Sequence, residues 1–134
     1  MALRICTVDH TTNSAEAVAV AIERSAKSND ELRFVGVIQP FAEAPGPAYG
    51  ERVRRFGLVE TNLVHACRAA RAAGLEPSLE RRYGHLLSEA VAAADETGAD
   101  EIVLAEPRGL FQRGADVVTV TRPRIERRPL ALVA

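Results

Sequence analysis

The stretch LAEPRGLFQRGADVV, residues 104–118, contains the residues whose types and spacing best suit binding chemistry. An apolar run ends just before Glu106, and Gly109 and Gly114 follow it, which is typical of a buried strand that leads into a glycine-bearing loop. Such loops often bind phosphate in α/β proteins, because glycine lets backbone N–H groups approach the anion closely. Glu106 disfavours that use, since two like charges at ~4 Å repel by roughly 4 kcal/mol at an effective dielectric of 20.

A second candidate site lies where the first predicted strand ends, at Asp9 and His10. An aspartate at a strand end either binds a ligand or caps the turn that follows, and the residues alone leave both possibilities open. Neighbouring residues at a strand end point apart, so this pair is not expected to do acid–base chemistry together. His65 and His85 lie far from His10 in the sequence and lack metal-ligand spacing, which predicts no metal site.

The sequence offers no clear catalytic nucleophile. No serine lies in a nucleophile elbow, and Cys6 and Cys67 have no CxxC spacing. Both cysteines occur in apolar patterns, which predicts buried thiols in a reducing compartment. We expect no catalytic residues, and an enzyme that uses His10 or His85 as acid or base is the alternative.

Composition limits the classes of partner. The 134 residues are 47% hydrophobic and 26% charged, as in an ordinary globular protein, and this length predicts a single domain over residues 1–134. A formal net charge of -1 provides no field that would attract nucleic acid or anionic lipid. No apolar run is long enough to span a bilayer. We therefore expect a cytoplasmic protein that binds neither nucleic acid nor membranes.

The elements that must position these residues follow from hydrophobic periodicity and turn signals. Helices are predicted from Asn13 or Ser14 to about Lys27, with its apolar face on Ala15, Val18, Ile22 and Ala26, and over about 51–73 and 85–97. Strands are predicted over residues 2–8, 31–40, 75–84, 99–106 and 128–134. The sequence leaves residues 115–127 open, because DVVTVT has the composition of a strand whereas the alternation of elements calls for a helix.

This alternation predicts an α/β fold: an open, parallel, five-stranded sheet with right-handed crossovers and helices on both faces. The mixed polarity of residues 75–84 is typical of an edge strand, and the apolar run at 99–106 is typical of a central one. Ligands bind such sheets at the carboxyl ends of the strands. Asp9, residues 37–40 and the loop at 105–115 should therefore surround one crevice.

The same layout resembles the universal stress protein family over nearly the whole chain. RICTVDHTTNSAEAVAVAIERSA is similar to that family's first strand, terminal aspartate and first helix, and LRFVGVIQP to its second strand. GADEIVLAEPRG is similar to the family's GADLIVVGSRG passage, and RRPLALVA to its closing CPVLVV strand. The resemblance implies the three-layer fold that this family shares with the adenine nucleotide alpha hydrolases.

Many members of that family bind ATP through a G-x2-G-x9-G-[S/T] loop after the fourth strand, and the aspartate that ends the first strand contacts the adenine. Aligning this chain places Glu106 at the first glycine and Gly109 at the second. Gly114 follows Gly109 after only four residues, and Ala115 replaces the hydroxyl residue. Keeping the nine-residue spacing would place Thr119 and Val120 there instead.

The resemblance therefore implies a dimeric binding or regulatory module with little or no ATP binding and no cofactor. The alternative is an ATP- or AMP-binding stress protein with an altered, shortened loop, in which any hydrolysis is slow. Its binding residues would be Asp9, Val37, Gly109 and Gly114, with Arg108 and Arg113 supplying phosphate contacts that loop amides no longer make.

Partners are expected at two places. Residues 129–134 are apolar and would expose unpaired backbone at a sheet edge. In the resembled family the fifth strand commonly pairs with its twin across a two-fold axis, which implies a homodimer through residues 129–134. The Pro- and Gly-rich loop at 39–50 is long enough to be a contact for another protein.

Overall fold

The computed structural model describes residues 2–39, 48–107, 115–121 and 131–133. Its elements, in chain order, are β1 (Leu3–Val8), α1 (Ser14–Ser28), β2 (Glu31–Ile38), α2 (Ala48–Ala72), β3 (Ser78–Tyr83), α3 (Leu86–Thr97), β4 (Glu101–Pro107), β5 (Ala115–Thr121) and β6 (Ala131–Val133). The strands form one sheet in the order β3-β2-β1-β4-β5-β6. The predicted α/β class is confirmed, with β3 at an edge and β4 inside the sheet.

Alternate residues of the central strands supply two apolar cores, one on each face of the sheet. Cys6 in β1 belongs to the core that packs against α1 and α2, whereas its neighbour Ile5 belongs to the core that packs against α3. Both side chains are fully buried. Because both faces are covered, the parallel strands have nearly continuous apolar sequences. Cys6 and Cys67 are free, buried thiols, and burial raises the pKa of each.

The FVGVI sequence of β2 contains a glycine because α2 crosses the sheet very closely there. A Cβ atom on Gly36 would lie 2.7 Å from Leu63 Cδ1 and 3.0 Å from Val59 Cγ1. Real Cβ atoms are not found at the shorter of these distances, so a side chain at this position would force Leu63 and Val59 on α2 to shift. This close approach fixes where α2 lies relative to the carboxyl ends of β1 and β2.

The predicted apolar face of α1 was displaced around the helix. The residues that face the sheet are Ser14, Ala17, Val18, Ala21 and Ser25, whereas Ala15 and Ala26 are exposed and Ile22 is half-buried. Small residues occupy the contact because α1 packs closely on the sheet. The expected side-chain cap is also absent: Asn13 is the N-cap residue but makes no side-chain capping bond.

The region that the sequence left open begins with a strand. β5 pairs antiparallel with β4, in the register Val103↔Thr119, and β6 pairs antiparallel with β5. β5 has β-branched residues at five consecutive positions, 117–121, which fits a strand with two covered faces. The sheet therefore differs from the expected five parallel strands: β6 occupies the expected last strand and is parallel to β4, but the antiparallel β5 is inserted between them.

Among the described helices, none is both long enough and apolar enough to cross a membrane.

Candidate ligand site at the carboxyl end of the sheet

Asp9 lies directly after β1, with its side chain buried in a ring of neutral hydrogen-bond donors. Its Oδ1 accepts the Thr11 N–H at 2.9 Å, the Thr11 hydroxyl at 2.7 Å and the Ser14 hydroxyl at 2.8 Å. Its Oδ2 accepts a longer bond, at 3.4 Å, from the Gln39 amide. Asp9 is 8% exposed, so these contacts satisfy most of its acceptor capacity. The structure shows that Asp9 caps the turn that follows β1, and its role in ligand binding stays a prediction.

Two further side chains brace this turn. The Asp9 N–H donates to Ser14 Oγ at 2.9 Å, so Ser14 both donates to and accepts from the same aspartate. Asn62, on α2, donates to the carbonyl oxygens of Asp9 at 2.9 Å and Thr11 at 3.1 Å. The first turn of α1 and the middle of α2 therefore hold the carboxylate in place together. The sequence did not point to Thr11 or Asn62, and it indicated Ser14 only as a helix cap, whereas Gln39 lies within the residues 37–40 expected at the crevice.

A charged cluster from the first turns of α2 lies beside this carboxylate. Glu51 accepts hydrogen bonds from Arg54 at 2.7 and 2.9 Å and from Arg55 at 3.2 Å, and these bonds lower its pKa to about 2. Arg55 also donates to the Gln39 carbonyl at 3.5 Å, which ties the cluster to the end of β2. The spacing of one acid and two bases at i, i+3 and i+4 was the available sequence signal.

His10 lies between Asp9 and this cluster. Its Nδ1 atom is buried and has no hydrogen-bond partner within the described part of the chain. Burial lowers the pKa of His10, the positive charge of Arg55 lowers it further, and the negative charge of Asp9 opposes both. The imidazole is therefore held towards its neutral form, and its Nδ1 atom is bonded to none of the described residues.

The structure describes two of the remaining candidate residues, Val37 and Glu106. Val37 lies in β2 next to the position of Asp9, but its side chain is fully buried in the core on the α3 side. Glu106 is exposed on β4. Gly109, Gly114, Arg108, Arg113 and the segment 40–47 lie outside the described residues, as does most of the loop expected to bind another protein.

Thr119 and Val120 are not placed for phosphate binding. Both are buried in β5, and Thr119 accepts a hydrogen bond from Arg24 at 3.1 Å. The alignment that keeps nine residues between glycine positions therefore places a sheet strand where the family has the end of its phosphate loop.

The three histidines are not brought together. His65 is exposed on α2, and His85 is exposed at the N-cap of α3. Within residues 2–39, 48–107, 115–121 and 131–133, no three histidine, cysteine or acidic side chains are grouped to hold a metal ion.

Comparison with known proteins gives a consistent assignment. The model of the universal stress protein family matches residues 4–119. A universal stress protein family member from Burkholderia pseudomallei aligns with a TM-score of 0.67 at 18% identity, covering 77% of this chain and 80% of that one. No curated protein matches the sequence significantly.

Two of the similar solved structures contain a nucleotide. A family protein from Arabidopsis thaliana with AMP bound aligns with a TM-score of 0.62 at 14% identity, covering 82% of this chain and 79% of that one. A universal stress protein in complex with cAMP aligns with a TM-score of 0.58 at 24% identity, covering 74% and 72%. These likenesses show the shared fold, and the family model spans most of the sequence: the chain belongs to the universal stress protein family.

Proposed function

We propose that this protein is a binding or regulatory universal stress protein with little or no affinity for ATP, which acts as a homodimer through residues 129–134. One observation carries the proposal. β4 is followed by an antiparallel strand, and the register from Glu101↔Thr121 to Pro107↔Ala115 pairs every residue of β4 with β5. A family member that binds a triphosphate uses a glycine loop after this strand, and residues 115–121 are part of the sheet instead.

The electrostatics of the crevice support the same conclusion. Asp9 and Glu106 both carry a negative charge at the carboxyl end of the sheet, and the donors on Asp9 are neutral. A triphosphate brings several negative charges that would have to be compensated at this end. Among the described residues, Arg54 and Arg55 are cations near this end, and both pair with Glu51.

The alternative is a nucleotide monophosphate bound at the adenosine side of the site. The relatives with AMP and cAMP favour it, because those ligands carry one phosphate rather than three. In this alternative Asp9 and the backbone of Val37 would contact the adenine, and Gly109, Gly114, Arg108 and Arg113 are the proposed phosphate contacts. A buried carboxylate beside a crevice suits a ligand that donates a hydrogen bond, such as an adenine amine.

Thermal melts with and without millimolar ATP, ADP, AMP and cAMP, checked by calorimetry, test the proposal. A ligand that binds only the folded state stabilises it by ~2.7 kcal/mol at 100 times its Kd. We expect no rise in Tm with ATP. A rise in Tm with ATP that Asp9→Asn abolishes would overturn the proposal. A rise confined to AMP or cAMP would favour the alternative, and Arg113→Glu should then reduce that rise.

Sedimentation velocity tests the assembly. A homodimer should persist at micromolar protein, because pairing of residues 129–134 across a two-fold axis satisfies the backbone groups at that edge. A monomer at this concentration would contradict the dimer but would leave the proposal on ATP affinity intact.

A further inference from the structure

The opposite edge of the sheet, strand β3, has a row of backbone groups that pairs with no other described strand. The Gly84 N–H donates to the Ile38 carbonyl at 3.1 Å, and Ile38 is aligned with Tyr83 in the parallel ladder. In such a ladder one residue bonds to the two residues that flank its partner, so alternate residues direct both backbone groups towards the neighbouring strand. The groups of Leu79, Arg81 and Tyr83 therefore point away from β2, towards solvent.

The side chains of the same three residues lie on the α2 face, and two of them are apolar yet exposed. Leu79 is 39% exposed and Tyr83 is 57% exposed. Tyr83 borders a shallow apolar pocket whose other walls include Val53 and Phe56, both about half exposed. Arg81, between the two apolar residues, is held by two hydrogen bonds to Glu60 on α2. This edge thus combines exposed apolar side chains with backbone groups that have no partner strand in the described part of the sheet.

We propose that β3 binds a second copy of this chain by antiparallel pairing centred on Arg81. In that register the three residues whose backbone groups face outwards pair with one another, so each forms the hydrogen-bonded type of pair. Leu79 of each copy lies opposite Tyr83 of the other, at the border of the apolar pocket. On the α3 face, Glu80 of each copy lies opposite Arg82 of the other. Both pairings occur twice because the interface is two-fold symmetric.

The sequence of β3 favours this register over the one whose two-fold axis lies one residue earlier, at Glu80. A two-fold axis through Glu80 would also use outward-facing backbone groups, but it would place Glu80 against Glu80 and Leu79 against Arg81. Like charges directly opposite each other destabilise a strand pair, whereas aromatic–aliphatic and opposite-charge pairs stabilise it. The axis through Arg81 replaces one Glu80–Glu80 pair and two Leu79–Arg81 pairs with two Leu79–Tyr83 pairs and two Glu80–Arg82 pairs, and it places Arg81 opposite its own copy.

The arginine at the proposed axis is already compensated. Arg81 Nη2 donates to Glu60 Oε2 at 2.9 Å, and the Nε donates to the other oxygen of the same carboxylate. The two side chains that meet at the axis are therefore neutral ion pairs rather than bare cations. Arg82 is similarly supported, because Glu89 and Glu96 on α3 hold its guanidinium in place beside the edge.

This contact is independent of the proposed dimer through residues 129–134, since β3 and β6 lie at opposite edges of the sheet. A residue on the axis of an antiparallel hydrogen-bonded pair lies about 5.5 Å from its own copy, which a disulfide can bridge. Residue 78 lies six positions along from its own copy, or about 20 Å away.

Cysteine cross-linking of the full chain in a Cys67→Ala background tests the pairing. Arg81→Cys should form a covalent dimer under mild oxidation or with a short thiol-reactive cross-linker, and the control Ser78→Cys should not. Equal cross-linking of both variants, or none with Arg81→Cys, would overturn the proposal; so would a dimer formed by Glu80→Cys instead, since it would place the axis at the wrong residue. An edge occupied by a segment of another protein would also leave Arg81→Cys uncrosslinked.

Sedimentation of variants gives a test without cysteines. Leu79→Lys should weaken association at β3 by at least about tenfold, the equivalent of ~1.4 kcal/mol. The matched control is Val64→Lys, which changes another exposed apolar residue, on α2. If Leu79→Lys leaves a dimer where the unchanged chain forms larger species, both contacts exist. An unchanged dimer in every variant would overturn the β3 contact and leave the one at residues 129–134 in place.

Discussion

Two acidic side chains at opposite ends of β1 and β4 have very different surroundings. At the amino end, Glu101 accepts hydrogen bonds from Arg4 at 2.9 Å and Arg24 at 3.0 Å. At the carboxyl end, Asp9 is more deeply buried and accepts only from hydroxyl and amide groups among the described residues. The carboxylate of Glu101 is paired with two cations, whereas the described partners of the Asp9 carboxylate are all neutral.

This difference indicates that the charged groups at the amino end of the sheet stabilise the fold, whereas those at the carboxyl end are suited to binding. The amino end of the sheet also includes the contact of Arg4 with Asp30 at 3.3 Å and its hydrogen bond to Ser25 at 2.9 Å, so strands and helix are joined by compensated charge. At the carboxyl end, neutral donors stabilise the charge of Asp9, and the Nδ1 atom of His10 beside it has no hydrogen-bond partner among the described residues. At the end where α/β sheets bind ligands, a buried carboxylate with neutral described partners therefore lies beside a ring nitrogen with no described partner.

The largest expected effect comes from breaking the network at the amino end. Arg4→Met keeps much of the apolar stem but leaves Asp30 and Glu101 without their buried guanidinium, and removing one partner of a buried pair typically costs about 3–5 kcal/mol. Arg24→Met is the control, because Arg24 is 46% exposed and exposed pairs contribute about 1 kcal/mol or less. Urea unfolding measures both, and equal losses of stability would contradict the assignment.

A smaller loss is expected at the carboxyl end. Asp9→Ala removes the acceptor for Thr11 and Ser14 and leaves buried donors unsatisfied, at a cost of about 1–3 kcal/mol in the free energy of unfolding. Asp9→Asn keeps one acceptor oxygen and should lose less. The loss is expected without any nucleotide present, so an Asp9→Ala variant as stable as the unchanged chain would mean that the turn does not depend on this carboxylate.

The pH dependence of stability should report on His10. Its pKa is lowered in the folded state by burial and by Arg55, with a smaller opposing effect of Asp9, so the unfolded chain binds more protons than the folded one below the ordinary pKa of about 6.5. The contribution is therefore fully present above pH 6.5 and is lost as the pH falls towards the folded pKa.

Urea unfolding between pH 8 and 5 tests this sign. His10→Gln removes the titrating group and should give a flatter decline on acidification than the unchanged chain. Hydrogen bonds from Arg54 and Arg55 lower the pKa of Glu51 to about 2, so Glu51 does not titrate within this pH range. His65→Gln, at an exposed position on α2, is the matched control, and indistinguishable profiles for the two variants would sink the prediction.

The sequence predicted the parts of this comparison that depend on local pattern. The apolar runs of β1 and β4 and the position of Asp9 at a strand end follow from burial on both faces and from the turn residues that come next. The mixed polarity of β3 predicted an edge strand, because only one side of such a strand pairs with the sheet.

The rest depended on contacts between distant residues. Ser14 has a hydroxyl that either caps its own helix or bonds to the preceding loop, and sequence alone does not choose between them. DVVTVT favours a strand by composition, but whether it pairs with β4 depends on tertiary packing rather than propensity. The approach of Arg55 to His10 joins two elements 45 positions apart, and no local pattern encodes that distance.

The smallest effect on stability, and the sharpest test of the phosphate side, is expected from Glu106. It is exposed near the end of β4, so Glu106→Gln should change the free energy of unfolding by no more than about 0.5 kcal/mol, and Glu106→Gly by about 0.5–1 kcal/mol because glycine weakens a strand. Neither variant should acquire an ATP-dependent rise in Tm, because restoring one glycine does not replace a paired strand by a phosphate loop. If Glu106→Gln alone produced such a rise, and Asp9→Asn abolished it, the charge of Glu106 rather than the β4–β5 pairing would be what excludes ATP.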